Sequence, residues 1–381
     1  MEFITNLLST DGFFLGVLIP FLFVLVIVIF VHEMGHYLVG RWCGIGADAF
    51  AVGFGPEILG FTDKRGTRWK LCAIPLGGYV RFVGDMNAAS TKGDADAGLS
   101  KERRSLAFHN KAVWRRAATV FAGPAANFVL AIAIFTIIFS VFGRSVADPV
   151  VSTVSEGGAA AEAGFLPGDV FVSLDGAPVE TFADVQRYVG PRADIPITMT
   201  VRRDGALLEL TVTPQRREIE DQFGNRMEQG LIGVSADRDD ASFRTKTYSV
   251  PEAFTESFRE TGYVITRTGG YIWGVISGRE RADQIGGPIR VAQVSGQVAT
   301  LGWIALINLV AILSISIGLL NLLPVPILDG GHLMFYAYEW IRGRPLSENA
   351  MEMGYRIGFA MILGLMVFAT WNDITQLFAR G

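Results

Sequence analysis

Residues 12–36 read GFFLGVLIPFLFVLVIVIFVHEMGH, an uncharged apolar run that ends in two histidines and a glutamate. A helix needs about 20 mostly apolar residues to cross a bilayer, and residues 12–31 are long enough to do so. The pattern predicts a membrane-spanning helix that continues through the polar residues to about Trp42. Ionisable side chains are costly to bury at membrane depth, so His32, Glu33 and His36 mark a candidate functional site.

The spacing of these three residues is the HExxH pattern. Two imidazoles four residues apart lie on one face of a helix, and a carboxylate between them is placed to move a proton, as in zinc sites. The alternative is a pair of solvated histidines at the membrane surface. Two of the four histidines in the chain fall in this one motif, which favours the metal site.

Composition predicts an integral membrane protein with a polar insertion. The 381 residues are 50% hydrophobic and 18% charged, against about 25% charged in a typical soluble protein, and the mean hydropathy is +0.36. The net charge of −4 argues against nucleic acid as a partner. Two cysteines, Cys43 and Cys72, are too few for a disulfide framework.

Four apolar stretches are candidate membrane spans. They lie at residues 12–31, 117–142, 300–323 and 355–372. Lys and Arg concentrate in cytoplasmic loops, and residues 41–113 carry eleven of them, whereas the N-terminal stub has none. This asymmetry predicts that residues 41–113 are cytoplasmic, that the long 143–299 region lies outside, and that both termini lie outside.

Residues 45–83 are Gly-rich and apolar and are predicted to form short strands. Residues 49–54 and 69–74 have strand character, the turn lies at 63–66, and residues 77–83 are a possible third strand. A β-hairpin entering the membrane beside the histidines and an ordinary cytoplasmic hairpin remain equally open. Residues 86–105 are polar and predicted to be a loop.

Residues 147–235 are predicted to form a small domain outside the membrane. Ala163–Gly176 reads as a turn and a strand, residues 183–189 as a short helix, and Asp204-Gly205 as a hairpin turn. This pattern resembles a PDZ domain of the bacterial protease type. Such domains take an extended peptide by strand addition. The alternative is a folded spacer that binds nothing.

A catalytic zinc needs a third protein ligand and an open position for water. The candidate is Asp329 in Asn321-Leu-Leu-Pro-Val-Pro-Ile-Leu-Asp329-Gly-Gly-His332, at the end of the third apolar run and on the same predicted side as the histidines. Pro324 and Pro326 prevent a regular helix there, so the chain is free to turn Asp329 inward. A helix-capping Asp is an equally weighted alternative.

Taken together, HExxH in the first span, Leu-Asp-Gly in a later one and a PDZ-like insert between them resemble the site-2 protease family of intramembrane zinc metalloproteases, of the regulator of sigma-E protease type. The resemblance includes Gly123-Pro-Ala-Ala-Asn127. It implies that His32, His36 and Asp329 bind Zn²⁺ and that Glu33 is the general base. It also implies that Asn321, Pro324, Pro326 and Asn127 shape the substrate groove. An equally weighted alternative for Asn127 is a hydrogen bond to a neighbouring helix. His332 is expected to support the site or to be solvated rather than to bind metal.

The expected fold is a multi-span α-helical membrane protein with about four transmembrane helices, a membrane-associated β-hairpin and one inserted PDZ-like α+β or β-barrel domain. Its predicted regions are 1–44 (first span with HExxH), 45–113 (β region and loop), 114–143 (second span), 147–235 (periplasmic PDZ-like domain), 250–298 (interfacial amphipathic segment), 299–332 (third span) and 333–381 (cytoplasmic loop and fourth span). Relatives of the enterobacterial type have two PDZ domains in tandem, whereas this chain has room for one.

The resemblance implies an enzyme of the bacterial inner membrane, with its active site toward the cytoplasm, surrounded by lipid and binding no nucleic acid. Its expected substrates are transmembrane segments of single-span proteins already cut by another protease, such as an anti-sigma factor or a remnant signal peptide. A non-enzymatic PDZ-containing scaffold is the alternative from another class. A membrane protease acting on soluble cytosolic substrates is disfavoured, because the motif lies within an apolar run.

Overall fold

The computed structural model describes residues 14–84, 100–220, 226–236, 243–278, 282 and 286–379. The chain divides into two compact units. The first unit combines Met1–Thr136 with Phe254–Gly381, and the second is Ile137–Ala253. The insertion therefore folds as a unit between segments that come together from both ends of the sequence.

Ten helices are numbered here in chain order within the described residues. They are α1 (Ile19–Trp42), α2 (Lys101–Leu106), α3 (Val113–Ile137), α4 (Ala159–Glu162), α5 (Phe182–Val189), α6 (Val250–Ile276), α7 (Pro288–Ala299), α8 (Trp303–Asn321), α9 (Asp329–Arg342) and α10 (Glu348–Ala379). A π-helical turn, Phe14–Leu18, precedes α1, and a second, Ile138–Phe142, follows α3.

The strands of the described residues are short except for the first two. They are β1 (Ala47–Thr62), β2 (Arg68–Phe82), β3 (Arg144–Ala147), β4 (Thr153–Val154), β5 (Val170–Leu174), β6 (Ala177–Pro178), β7 (Ile197–Arg203), β8 (Ala206–Val212), β9 (Gln215–Glu220), β10 (Arg226–Leu231), β11 (Val234–Ser235) and β12 (Phe243–Lys246).

The four predicted spans are confirmed. Helices long and apolar enough to cross a membrane run over Leu15–Trp42, Val113–Phe142, Trp303–Asn321 and Glu348–Thr375 in the described part of the chain. The fourth is longer than the predicted 355–372, because α10 begins in the polar residues from Glu348. α1 ends at Trp42, as the sequence predicts.

Small residues allow the first two spans to approach closely. A Cβ built on Gly35 would lie 2.2 Å from the Ala122 carbonyl oxygen and 2.7 Å from the Ala126 Cβ, so only glycine fits there. Small residues at such contacts let backbones pack against each other, which is the main source of helix association in lipid. On another face of α1, Val24 and Val28 are buried with Leu309 and Val310 of α8.

The predicted hairpin at residues 45–83 forms, but as two long strands rather than short ones. Residues 49–52 of β1 have neighbours on both sides, pairing with residues 78–81 and with residues 68–71 of β2. The suggested third strand at 77–83 is therefore the second half of β2. After Val52, β1 pairs with β2 on one side only. The strand is exposed to solvent from Phe54 onward.

The predicted interfacial segment 250–298 contains two helices among its described residues, α6 and α7, and α7 packs against α1. The predicted loop 86–105 lies outside the described residues up to residue 99. Its last part is helical, because Ser100 caps α2 by accepting a hydrogen bond from the Arg103 N–H.

The second unit has its own apolar core beneath a four-stranded antiparallel sheet with strand order β6-β5-β7-β8. Both Asp-Gly turns adopt the left-handed conformation that such hairpins need: φ is 45° at Asp175 and 80° at Gly176, and 50° at Asp204 and 85° at Gly205. α5 covers the sheet with Phe182 and other buried apolar side chains. The predicted strand, helix and hairpin of this region are all present.

A buried ion pair fixes one edge of this core. The Asp169 side chain is fully buried and accepts hydrogen bonds from Arg203 Nε and Nη2, each at 2.7 Å. It also accepts one from the Leu166 N–H at 2.9 Å. The guanidinium bonds hold the pKa of the Asp169 carboxyl below its ordinary value of 3.8, because they stabilise the ionised form.

The lowered pKa predicts acid sensitivity of the second unit. Asp169 contributes stability above its ordinary pKa, and this contribution is lost as pH falls through the lowered value. We expect Asp169→Ala to reduce the free energy of unfolding by about 2 kcal/mol, less than for a fully buried pair because Arg203 is partly exposed. Hydrogen exchange of the β5 amides in the full-length protein measures this loss. Equal acid sensitivity of β5 in the variant and the wild type would contradict the assignment.

Candidate metal centre

Three ionisable side chains from the two ends of the chain meet inside the first unit. His32 and His36 lie on one face of α1, and Asp329 is the first residue of α9. His32 Nε2 lies 3.2 Å from His36 Nε2 and 3.2 Å from Asp329 Oδ2, and His36 Nε2 lies 3.5 Å from Asp329 Oδ1. Among the described residues they form the group of His, Cys, Asp and Glu that suits a metal ion, with ligand atoms within 4.8 Å of one another.

The spacing of these ligand atoms fits a zinc ion. Ligands about 2.0–2.2 Å from a tetrahedral zinc stand about 3.3–3.5 Å from one another. The three observed distances fall close to that range. Asp329 Oδ2 is buried, and the polar atom near it is Nε2 of His32, itself a proposed ligand, as expected for an atom that binds a metal.

The loop between α8 and α9 sets the position of Asp329. The residue before it, Leu328, occupies the N-cap position, and no side chain caps this helix. The Asp329 carboxylate therefore does not serve the capping role that the sequence left open. Gly330 and Gly331 allow the loop to fold tightly over the helix start, since a Cβ on either would lie within 2.3 Å of a loop carbonyl oxygen.

α3 supplies the wall behind both imidazoles, through a face formed by Thr119, Gly123 and Asn127. His36 Nδ1 lies 2.9 Å from the Thr119 carbonyl oxygen, and His32 Nδ1 lies 3.3 Å from Asn127 Nδ2. A Cβ on Gly123 would lie 2.3 Å from His36 Nε2, so the rings occupy the space that its missing side chain leaves. Neither Thr119 nor Gly123 was predicted from the sequence to have a role, although their spacing of four residues puts them on one face of the helix.

Glu33 projects toward the β-sheet. Its carboxylate accepts a hydrogen bond from the Val80 N–H, in the second half of β2. Gly78 allows this strand to approach, because a Cβ there would lie 3.1 Å from Glu33 Cγ and 2.9 Å from the Ile29 Cγ2. The carboxylate is thus held beside both the imidazoles and a strand edge.

The remaining predicted site residues lie around this centre. Asn321 ends α8, and Pro324 and Pro326 lie in the loop that leads to Asp329. His332, one helical turn after Asp329, has its Nδ1 3.4 Å from the Tyr355 hydroxyl. It is outside the group of converging ligand atoms. Whether Asn321, Pro324 and Pro326 contact substrate stays a prediction.

Two imidazoles and a carboxylate that converge within a bundle of apolar helices define a membrane-embedded metalloprotein. The chain belongs to peptidase family M50, whose sequence profile matches residues 20–365. A protein of Agrobacterium fabrum that bears a provisional zinc metalloprotease name is 59% identical over 374 residues, covering 98% of this chain and 99% of the relative. A similarly named protein of Rhizobium meliloti is 54% identical over 94% of this chain and 96% of its own length.

A third relative is the metalloprotease MmpA of Caulobacter vibrioides, which is 40% identical over 95% of this chain and 96% of its own length. With the family and the four apolar helices, these matches identify a multi-pass bacterial membrane zinc metalloprotease. Zn²⁺ is its implied metal, and the geometry of His32, His36 and Asp329 fits that ion.

The contact at Gly123 predicts a steric requirement for metal binding. Gly123→Ala places a methyl group on the two imidazoles, so we expect zinc affinity to fall at least about tenfold, the usual cost of displacing a ligand's support. Chelator competition on the purified protein in detergent measures this affinity. Gly364→Ala in α10 is the matched control, since its Cβ would have nothing within 4 Å. An unchanged zinc affinity in Gly123→Ala would refute this view of the site.

Proposed function

We propose that this enzyme hydrolyses peptide bonds within the membrane, in the transmembrane segments of single-span proteins. The observation that carries the proposal is that His32 and His36, inside the apolar helix α1, converge with Asp329 at the start of α9, with Glu33 beside them. An ionisable cluster at such a depth is expensive unless it has a function. Substrates already shortened by another protease, such as anti-sigma factors or remnant signal peptides, are the proposed class.

In the proposed mechanism, His32, His36 and Asp329 would hold the zinc ion. Bound zinc supplies Lewis-acid polarisation of the scissile carbonyl and lowers the pKa of the attacking water. Glu33 accepts the proton of that water and later delivers it to the leaving amine nitrogen. The Val80 N–H keeps the Glu33 carboxylate oriented for both transfers.

A helical substrate hides its amides in internal hydrogen bonds and must be unwound to be cut. β2 offers a means of holding it extended. Residues 78–82 of β2 pair with β1 on one side, and no described strand pairs with their other side. A substrate strand added there would lie next to Glu33. Asn321, Pro324, Pro326 and Asn127 are the residues that the family resemblance places along the substrate groove.

The exposed part of the hairpin supports its association with the membrane. Phe54, Ile58, Leu59 and Phe61 are 47–65% exposed, and they form an apolar surface that water would not favour. Non-helical backbone is tolerated at membrane depth only against protein or a wet cavity. We propose that this part of β1 dips into the membrane next to the active site, against the protein rather than alone in lipid.

The second unit is proposed to be the PDZ-like domain of the enzyme, residues 147–235. Its four-stranded sheet, its α5 helix and its two Asp-Gly turns support that assignment. A domain of this kind takes an extended chain end on a strand edge. The alternative, a folded spacer that binds nothing, remains the second candidate.

The proposed orientation puts the metal site toward the cytoplasm and the second unit in the periplasm. Glu102 and Glu156 are exposed and lie on opposite sides in this arrangement. We expect a membrane-impermeant maleimide to label Glu156→Cys when the outer membrane is open, and Glu102→Cys only after the inner membrane is permeabilised. The native Cys43 and Cys72 are buried and give little background. The reverse labelling pattern would invert the proposed topology.

The role of Glu33 predicts a separation between chemistry and metal binding. Glu33→Gln keeps the shape of the side chain but removes its basicity, so we expect cleavage of a model transmembrane span to fall by at least about 100-fold. Zinc content should stay near that of the wild type, because Glu33 is not among the proposed ligands. Fragment analysis by mass spectrometry and zinc determination measure the two effects.

Glu162→Gln, an exposed position in α4, is the matched control. Cleavage at the wild-type rate in Glu33→Gln would mean that another group acts as the base.

The alternative of a non-enzymatic scaffold predicts histidines without a metal. If the proposed function is correct, the purified protein retains one zinc ion per chain. His32→Ala or Asp329→Ala should lose this zinc, because each variant keeps only two of the three protein ligands. Elemental analysis decides between the two. Zinc-free wild-type protein that still cannot be loaded with Zn²⁺ would favour the scaffold.

A further inference from the structure

We infer that α3 sets the orientation and tautomer of both zinc-binding imidazoles, with Asn127 as the positioning residue for His32. The inference rests on the proposed zinc site. It assigns to Asn127 a role different from the substrate contact that the family resemblance implies. The observation behind it is that the outward-facing ring nitrogen of each histidine lies against α3.

The chemistry of imidazole requires such partners. A neutral ring that gives its Nε2 lone pair to a metal carries its proton on Nδ1 and needs an acceptor there. His36 has one, because its Nδ1 lies 2.9 Å from the Thr119 carbonyl oxygen. That acceptor belongs to the main chain, so it does not depend on the side chain at position 119.

His32 has a side-chain partner instead. Its Nδ1 lies 3.3 Å from Asn127 Nδ2, while Asn127 Oδ1 is buried and has no hydrogen-bond partner among the described residues. Two N–H donors cannot bond each other. A half-turn of the amide exchanges Nδ2 and Oδ1 and gives the Nδ1–H of His32 its acceptor. Because Asn127 Oδ1 makes no hydrogen bond in its present position, rotating the amide breaks no hydrogen bond of that oxygen.

The surroundings of Asn127 suit positioning better than substrate contact. Asn127 is fully buried. The Ser314 hydroxyl donates a hydrogen bond of 2.9 Å to the main-chain carbonyl oxygen of Asn127. On the α8 side, Gly318 leaves so little room that its Cβ would stand 3.2 Å from Asn127 Cβ. A side chain enclosed by α8 and His32 is fixed in place, as the support of a metal ligand must be.

The test compares zinc affinity in full-length protein in detergent, by competition with a chelator. Asn127→Leu has similar volume and no acceptor, and we expect its affinity for Zn²⁺ to fall about 10- to 100-fold. Asn127→Asp restores an acceptor and should recover most of that loss. Thr136→Val, which removes a hydroxyl elsewhere on α3, is the matched control and should bind zinc as the wild type does.

A second measurement separates positioning from substrate binding. At saturating Zn²⁺, Asn127→Leu should have a KM near the wild-type value, because Asn127 acts through His32. A raised KM with unchanged zinc affinity would overturn the inference in favour of a substrate contact. If Asn127→Leu does not fold, Asn127→Ala removes the acceptor without bulk and takes its place. Wild-type protein that binds no zinc would refute the zinc site itself, whereas equal affinity in wild type and variants refutes only the role of Asn127.

Discussion

The close contact of α1 with α3 at Gly35 is the constraint on which the metal centre depends. With the Ala122 carbonyl where a Cβ on Gly35 would stand, the two backbones are near enough for Thr119 to reach His36. Any side chain at Gly35 would move the histidines away from this wall. The membrane interior offers no water for hydrogen bonding. Imidazoles moved away from α3 would therefore be left with unpaired ring nitrogens.

The same closeness explains why the centre needs so few polar groups. The main-chain carbonyl oxygens of a helix normally accept hydrogen bonds within the helix. The Thr119 carbonyl oxygen nevertheless lies within hydrogen-bond distance of a ring nitrogen of His36. Asn127 provides the one amide side chain that meets the other imidazole. The buried Thr119 hydroxyl donates its hydrogen bond to the Arg115 carbonyl oxygen within α3, and Gly123 adds no side-chain atom at all. Low polarity and tight geometry are thus obtained together.

The sequence predicts the spans and the histidine pair well, because both are local patterns. Apolar length is enough to find a membrane helix, and a spacing of four residues is enough to put His32 and His36 on one face. The third group is different. Asp329 is nearly 300 residues away, and its side chain had an equally reasonable role as a cap. Its position at the end of a span, on the same predicted side as the histidines, made it a candidate ligand, and the resemblance to a protein family favoured that role over the cap.

Features that depend on packing between distant segments escaped the sequence analysis. The central stretch of β1 pairs on two sides, and no periodicity in residues 45–83 distinguishes that from a simple hairpin. The helix α7 packs on α1, which apolar patterning does not reveal. The contribution of Gly123 was missed because its effect lies in the absence of a side chain.

The wide separation of Asp329 from the HExxH segment also has a consequence for biosynthesis. A ribosome delivers the N-terminal helix and the insertion first, so a growing chain possesses the imidazoles and the proton acceptor long before the carboxylate appears. On the proposed assignment, an unfinished polypeptide lacks one of the three metal-holding groups. The nascent enzyme is therefore inert toward its neighbours in the translocation machinery until nearly nine-tenths of it has been made.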